Sequence, residues 1–136
     1  MHPDEPILSD IREDWAAVGP ALEILCNENP TFGLQPLHVR DACDAEQADF
    51  WRAPEGFLVT RFITDEDSGV RTLFIWVAYA FERHFDLTAK YLPFFEEVAK
   101  HTKCKYIETW SSRGGMERYL ARHNFKLFYR SFRKEV

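Results

Sequence analysis

The sequence predicts one mixed α/β domain: a mostly antiparallel sheet containing a β-meander, with helices on both faces. Three observations predict it. Residues 1–46 carry apolar side chains at helical spacing. Residues 47–81 alternate and then run apolar between turn residues, as consecutive strands do. Residues 82–136 switch between the two patterns, in the order helix, strand, helix, strand.

In the lead segment, Asp10 stands as an N-cap with Glu13 three residues on, the spacing of a capping box. Ile11, Trp15 and Val18 follow at helical intervals. Gly19-Pro20 is expected to break that helix, with Pro20 opening a second one that carries Leu22, Leu25 and Cys26. Asn29-Pro30 should end it, since the residue before proline avoids the α region. Pro36 opens a short third helix through Cys43.

The meander begins at Phe50–Arg52, turns at Pro54-Glu55-Gly56 and returns along Phe57–Ile63. Asp65 to Gly69 forms a polar hairpin loop. Thr72–Ala80 is nearly all apolar, the pattern of an inner strand covered on both faces. Asp86 then caps a helix from Leu87 to Thr102; Pro93 either kinks it or delays its start to about Leu92. Tyr106–Trp110 is a short strand, parallel to the inner one because a helix joins them. Gly114-Gly115 precedes a helix with Met116, Tyr119 and Leu120, and Asn124 suits a left-handed cap. Phe125–Phe132 reads as a last strand. Phe74, Trp76, Leu92, Phe95, Val98 and Ile107 are the expected core.

Composition narrows the function. The chain has 136 residues, 46% of them hydrophobic and 15% aromatic, which suits a single globular domain and no disordered one. Its formal charge is −5, against general nucleic-acid binding. No apolar run approaches the roughly 20 residues of a membrane helix, and the acidic N-terminus does not read as a signal peptide. Cys26, Cys43 and Cys104 are odd in number and widely spaced, so reduced thiols are expected, not disulfides or zinc. His2, His38, His84, His101 and His123 show no metal-ligand spacing, and no metal is expected.

The element order over residues 48–136 resembles the GCN5-related N-acetyltransferase (GNAT) fold. The segment S-S-R-G-G-M-E-R-Y-L-A-R-H-N-F, residues 111–125, is similar to that family's N-x-x-A-x-x-x-Y-x-x-x-G-F, and FKLFYRSFRKEV to its last strand. The overall pattern especially resembles small GNAT-like proteins of tailed phages and prophages. The resemblance implies an acetyl-coenzyme A site at the turn after the inner strand. The family's Q/R-x-x-G-x-G/A turn uses glycines to bring backbone N–H groups to a pyrophosphate. Here no glycine lies between Gly69 and Gly114, and the turn reads Phe81-Glu82-Arg83-His84-Phe85-Asp86. The family's tyrosine falls at Leu120, with Tyr119 rotated away by about 100° on a helix; Arg113 stands at the family's Asn.

Each candidate residue has a plainer alternative. Arg83 and His84 capture an anion or merely border a solvated turn. Glu108 acts as a base or is a half-exposed strand residue. Ser111, with Ser112 and Arg113, borders a ligand crevice or caps the next helix. Arg130, Arg133 and Lys134 touch phosphate or an acidic partner, or keep a strand edge soluble. In the enzyme reading, an N-acetyltransferase, Arg83, His84 and Thr88 contact acetyl-coenzyme A, and Glu108 and Ser111 are catalytic. The favoured reading is a degenerate site that needs no cofactor. The protein would then work through protein contacts, as a virion or assembly component or a host-directed binder. Its partners would be other virion proteins or itself, in the virion or the host cytoplasm. A third reading is an oligomeric scaffold on which the fold carries no functional meaning.

Overall fold

The computed structural model describes residues 5–28, 34–82, 85–109, 120–128, 132 and 134–136. Strand β1 (Ile7–Ser9) is followed by helices α1 (Trp15–Glu28) and α2 (Pro36–Asp44). The meander β2 (Asp49–Ala53), β3 (Gly56–Thr64) and β4 (Arg71–Ala80) comes next, then α3 (Leu87–His101) and β5 (Tyr106–Thr109). The five strands lie in the order β1-β2-β3-β4-β5. The first three pairings are antiparallel, and β4–β5 is parallel, joined by the crossover helix α3.

Both faces of the sheet are covered. α1 and α2 bury Val18, Leu22 and Val39 against Phe50, Phe57, Val59 and Val77. α3 buries Leu87, Tyr91, Phe95 and Ala99 against Leu58, Leu73 and Ile75. The lead segment therefore packs on the sheet of its own chain. The expected core residues Leu92 and Phe95 are buried. Phe74, Trp76, Val98 and Ile107 are half-buried instead, the last three at the rims of the two clusters.

The lead segment differs from expectation in three places. Ile7–Ser9 is an edge strand against Phe50–Arg52, too short to show a period of its own. Asp10 does not cap a helix through Glu13. Its carboxylate accepts the Arg12 N–H at 2.9 Å and pairs with the Arg12 guanidinium at 2.8 Å, so a turn precedes α1. And α1 runs unbroken through Gly19-Pro20. Pro20 gives up one intrahelical bond, yet Val18, Ala21 and Leu22 gain burial on the sheet. Gly19 leaves room for the Trp15 ring, which a Cβ would approach to 3.1 Å. The Asn29-Pro30 stop lies outside the described residues; Pro36 does open α2.

α3 begins at Leu87, not near Leu92, and continues through Pro93. Asp86 caps it as expected, accepting the Ala89 N–H at 2.9 Å. Leu120 and Ala121 are helical, and Asn124 adopts φ 66°, the left-handed cap. The expected strand Phe125–Phe132 does not form at Phe125–Phe128; most of its remainder lies outside the described residues. Leu127, Phe128 and Phe132 are exposed. Cys26, Cys43 and Cys104 are free and half-buried. Among the described residues, no helix is long and apolar enough to cross a membrane.

Candidate functional site

The site is set by a fault in β4. Val59 and Thr60 are adjacent on β3, but their partners Val77 and Ile75 are separated by Trp76. Trp76 is thus the inserted residue of a β-bulge, which bends a strand and re-aims its side chains. Below it, Leu73 and Ile75 face α3; above it, Val77 and Tyr79 face α1 and α2. The ladder with β5 ends at Ile75–Thr109, just short of the bulge. Among the described residues, no strand pairs with Trp76–Ala80 on that side.

β4 leads into the turn that opens α3. The Phe81 N–H is taken by the Glu55 carbonyl at 2.9 Å. Phe81 and Phe85 are exposed. The Asp86 carboxylate lies on the first turn of α3, through its bond to Ala89. His123 Nε2 stands 3.8 Å from the same carboxylate, which brings the Leu120–Asn124 turn against this end of the helix.

Glu55 locks the region. From the β2–β3 turn its carboxylate pairs with Lys90 Nζ, and it accepts the Tyr91 hydroxyl at 2.5 Å. Burial pushes this carboxyl up, but the bonds from Lys90 and Tyr91 outweigh it and hold the group below its ordinary value. The same contacts raise Lys90, chiefly through the Glu55 bond, while burial and then Glu55 raise Tyr91. Sequence reading missed this cluster because its members lie 35 and 36 residues apart.

The expected site residues fare unevenly. Thr88 is the second residue of α3 and half-buried, so it does border the turn. Glu108 lies on β5 opposite Phe74, half-buried, and Ile107 beside it joins the α3 cluster. Alternation along the strand turns Glu108 toward the other face, away from α3. Thr88 and Glu108 are not joined by any described contact. Arg83, His84 and Ser111 lie outside the described residues, as do Ser112, Arg113, Tyr119, Arg130 and Arg133. Leu120, at the family's tyrosine position, is half-buried and helical.

A backbone amide array at a helix N-terminus binds phosphate because its N–H groups are free and its partial charge is positive. Here one such N–H is taken by Asp86, whose own charge sits where the anion would.

No family model and no curated protein matches the chain. Solved structures do. A Trypanosoma brucei acetyltransferase superposes with a TM-score of 0.71 at 14% identity, covering 97% of this chain and 99% of that one. A ribosomal-protein-alanine N-acetyltransferase from Brucella melitensis biovar Abortus 2308 gives 0.68 at 13% identity, over 97% and 99%. An acetyltransferase-named protein from Pyrococcus furiosus gives 0.65 at 13% identity, over 97% and 100%. At these identities the likeness shows the fold alone, and the fold is GNAT-like.

Proposed function

We propose that this chain is a GNAT-fold binding protein that transfers no acyl group and acts through protein contacts. The carrying observation is the Asp86 carboxylate on the first turn of α3, where the fold's coenzyme pyrophosphate would need unobstructed amides. The Glu55 clamp supports it by tying the turn and α3 to the β2–β3 hairpin, not leaving them open to a ligand. Exposed Ile7, Leu8, Leu127, Phe128 and Phe132 supply apolar contact surface. The resemblance to small tailed-phage proteins makes a virion component, an assembly factor or a host-directed binder the setting of choice. Other virion proteins or further copies of the chain are then the partners.

A second reading, an active N-acetyltransferase, is favoured by the β4 bulge. The edge of Trp76–Ala80, with no described strand beside it, offers main-chain groups to an extended ligand with two amides, as acetyl-coenzyme A has. In that reading Arg83, His84 and Thr88 hold the coenzyme, while Glu108 and Ser111 serve the amine.

Thermal-shift titration with acetyl-coenzyme A decides between them. A cosubstrate at a hundred times its dissociation constant stabilises by about 2.7 kcal/mol. We expect no shift at millimolar coenzyme. Acetyl transfer from labelled coenzyme to an amine panel, lost in Glu108→Gln, would overturn the proposal.

A further inference from the structure

At the end of the sheet remote from α3's first turn, β3 outruns β2. Asp49 opens β2 opposite Thr60, whereas β3 continues to Thr64. The chain before Asp49 turns away from the sheet, because Gln47 and Ala48 give their N–H groups to the Ala42 carbonyl at 2.8 and 3.2 Å. On the other side, Asp65 N–H crosses to the Val70 carbonyl at 2.9 Å. Main-chain groups of successive strand residues point to opposite edges. Phe62 and Thr64 therefore aim theirs at the side that β2 leaves. Among the described residues, no strand pairs there.

A cavity of about 490 Å³ lies along this edge, and Glu46, Asp49, Arg61, Phe62 and Arg71 line it. The Arg61 guanidinium sits over Trp76 at 4.8 Å and that of Arg71 over Phe62 at 4.2 Å. Arg71 also donates to the Thr102 carbonyl at 3.0 Å. Among the described residues, none of these four charged side chains forms an ion pair, with one another or elsewhere. Opposite charges around one depression ordinarily collapse onto each other. Here ring stacking holds both guanidiniums apart from the carboxylates. Asp49, half-buried, has its carboxyl pushed up by that burial, with no cation to offset it.

We propose that this edge binds an extended peptide segment of a partner protein, laddered on Phe62 and Thr64, with acidic side chains at Arg61 and Arg71 and a basic one at Asp49. Strand addition to an open sheet edge supplies affinity through the main chain and specificity through alternate side chains. Arg61 is the register partner of Phe74 and Arg71 of Thr64, an odd number of positions apart along β3, so the two arginines serve opposite faces. The segment's acidic residues must do the same. An antiparallel segment extends β2 backwards, which puts its basic residue at the C-terminal end, beside Asp49. The cavity is separate from the coenzyme region, so this inference does not depend on the reading above.

Amide and arginine-side-chain NMR of the full chain tests it, with the blocked peptide acetyl-ETVEK-amide and the charge-reversed acetyl-KTVKE-amide as probes. The first should shift the signals of Phe62, Thr64 and Ala48 and both arginine side chains. Affinity should fall about tenfold for the reversed peptide, and likewise for Arg61→Gln. Thr64→Pro removes only an edge-facing N–H, which an edge tolerates. It should weaken binding by the same factor and leave the melting temperature unchanged. No shifts at millimolar peptide, equal response to the two peptides, or full affinity in a folded Thr64→Pro would each overturn the proposal.

Discussion

Removing the Phe95 ring is the sharpest test of how α3 is fixed to the sheet. Phe95 is 0% exposed, within the cluster that includes Leu58, Leu73, Ile75 and Tyr91. Its ring meets Trp51 at 5.5 Å and 85°, and Phe94 at 5.2 Å and 77°, both edge-on. Phe95→Ala removes the buried ring and leaves a cavity between a helix and a hydrogen-bonded sheet, which collapses poorly; such truncations cost about 3–5 kcal/mol. Each edge-on aromatic pair adds about 0.5–1.5 kcal/mol beyond its buried area. Their loss places this variant in the upper half, at about 4–5 kcal/mol. A domain has only about 5–15 kcal/mol in all. With a urea slope in the middle of the usual range, about 2 kcal/mol/M, the midpoint should fall by roughly 2 M. Urea titration followed by tryptophan fluorescence measures this, with Trp51 as the local reporter. Leu127→Ala, at a position 56% exposed, serves as the control and should stay within about 0.5 kcal/mol. A loss below about 1.5 kcal/mol for Phe95→Ala at unchanged slope would refute the enclosed ring, since that is less than large-to-small core changes cost.

Other expectations follow from single contacts. Thr60 is 1% exposed and accepts the Trp51 indole N–H at 2.9 Å; Thr60→Val should cost about 1–3 kcal/mol by chemical denaturation, and Thr60→Ser much less. A Cβ at Gly56 would meet the Tyr79 carbonyl oxygen at 2.0 Å, so Gly56→Ala should force β3 off β4 and cost about 2 kcal/mol or more in thermal melts. Because the folded-state pKa of Glu55 is lowered, its contribution is present above the unfolded value of 4.5 and is lost as pH falls below it. Glu55→Gln should therefore flatten the acid limb of the stability–pH profile, and an unchanged limb would dismiss the clamp. Burial, then Asp44 and Asp49, push the Cys43 thiol up to about 12. Iodoacetamide at mildly alkaline pH should spare it in the native protein and alkylate it in urea, as mass spectrometry will report.

The sequence exposed what has a period and hid what does not. β3 and β4 are legible because the strand-forming residues Phe57–Ile63 and the long apolar run Thr72–Ala80 leave few other structures. The α3 cap was legible because Asp86 stands immediately before the periodic stretch, and the Asn124 turn because asparagine tolerates φ 66°. β1 spans three residues, too few to alternate visibly. Local propensity at Gly19-Pro20 argues for a break in α1, and only burial against the sheet overrides it. The bulge at Trp76 carries no glycine to mark it, and it is defined by two strands together, not by one. At the site, Thr88 falls on the first turn of α3. The Glu55 contacts were not readable, since nothing in the Pro54-Glu55-Gly56 turn says which helix will fold over it.

The inserted Trp76 also makes β4 a strand with a phase slip. Residues before it keep one parity and residues after it keep the other, so a single apolar run feeds two separate interiors. Length changes in β4 consequently cannot be absorbed at a neighbouring hairpin. Deleting Trp76 itself would cancel the slip, leaving Ile75 opposite Thr60 and Val77 opposite Val59 on the sides they already face, with the bend and one ring lost. Adding one would leave two consecutive residues unmatched by β3. The tip of the Asp65–Val70 hairpin, by contrast, sits beyond the last paired residues and leaves the parity of β4 untouched. Among relatives of this chain, gains and losses of residues should accumulate at that tip, and a loss within β4 should fall at Trp76, the residue β3 leaves unmatched.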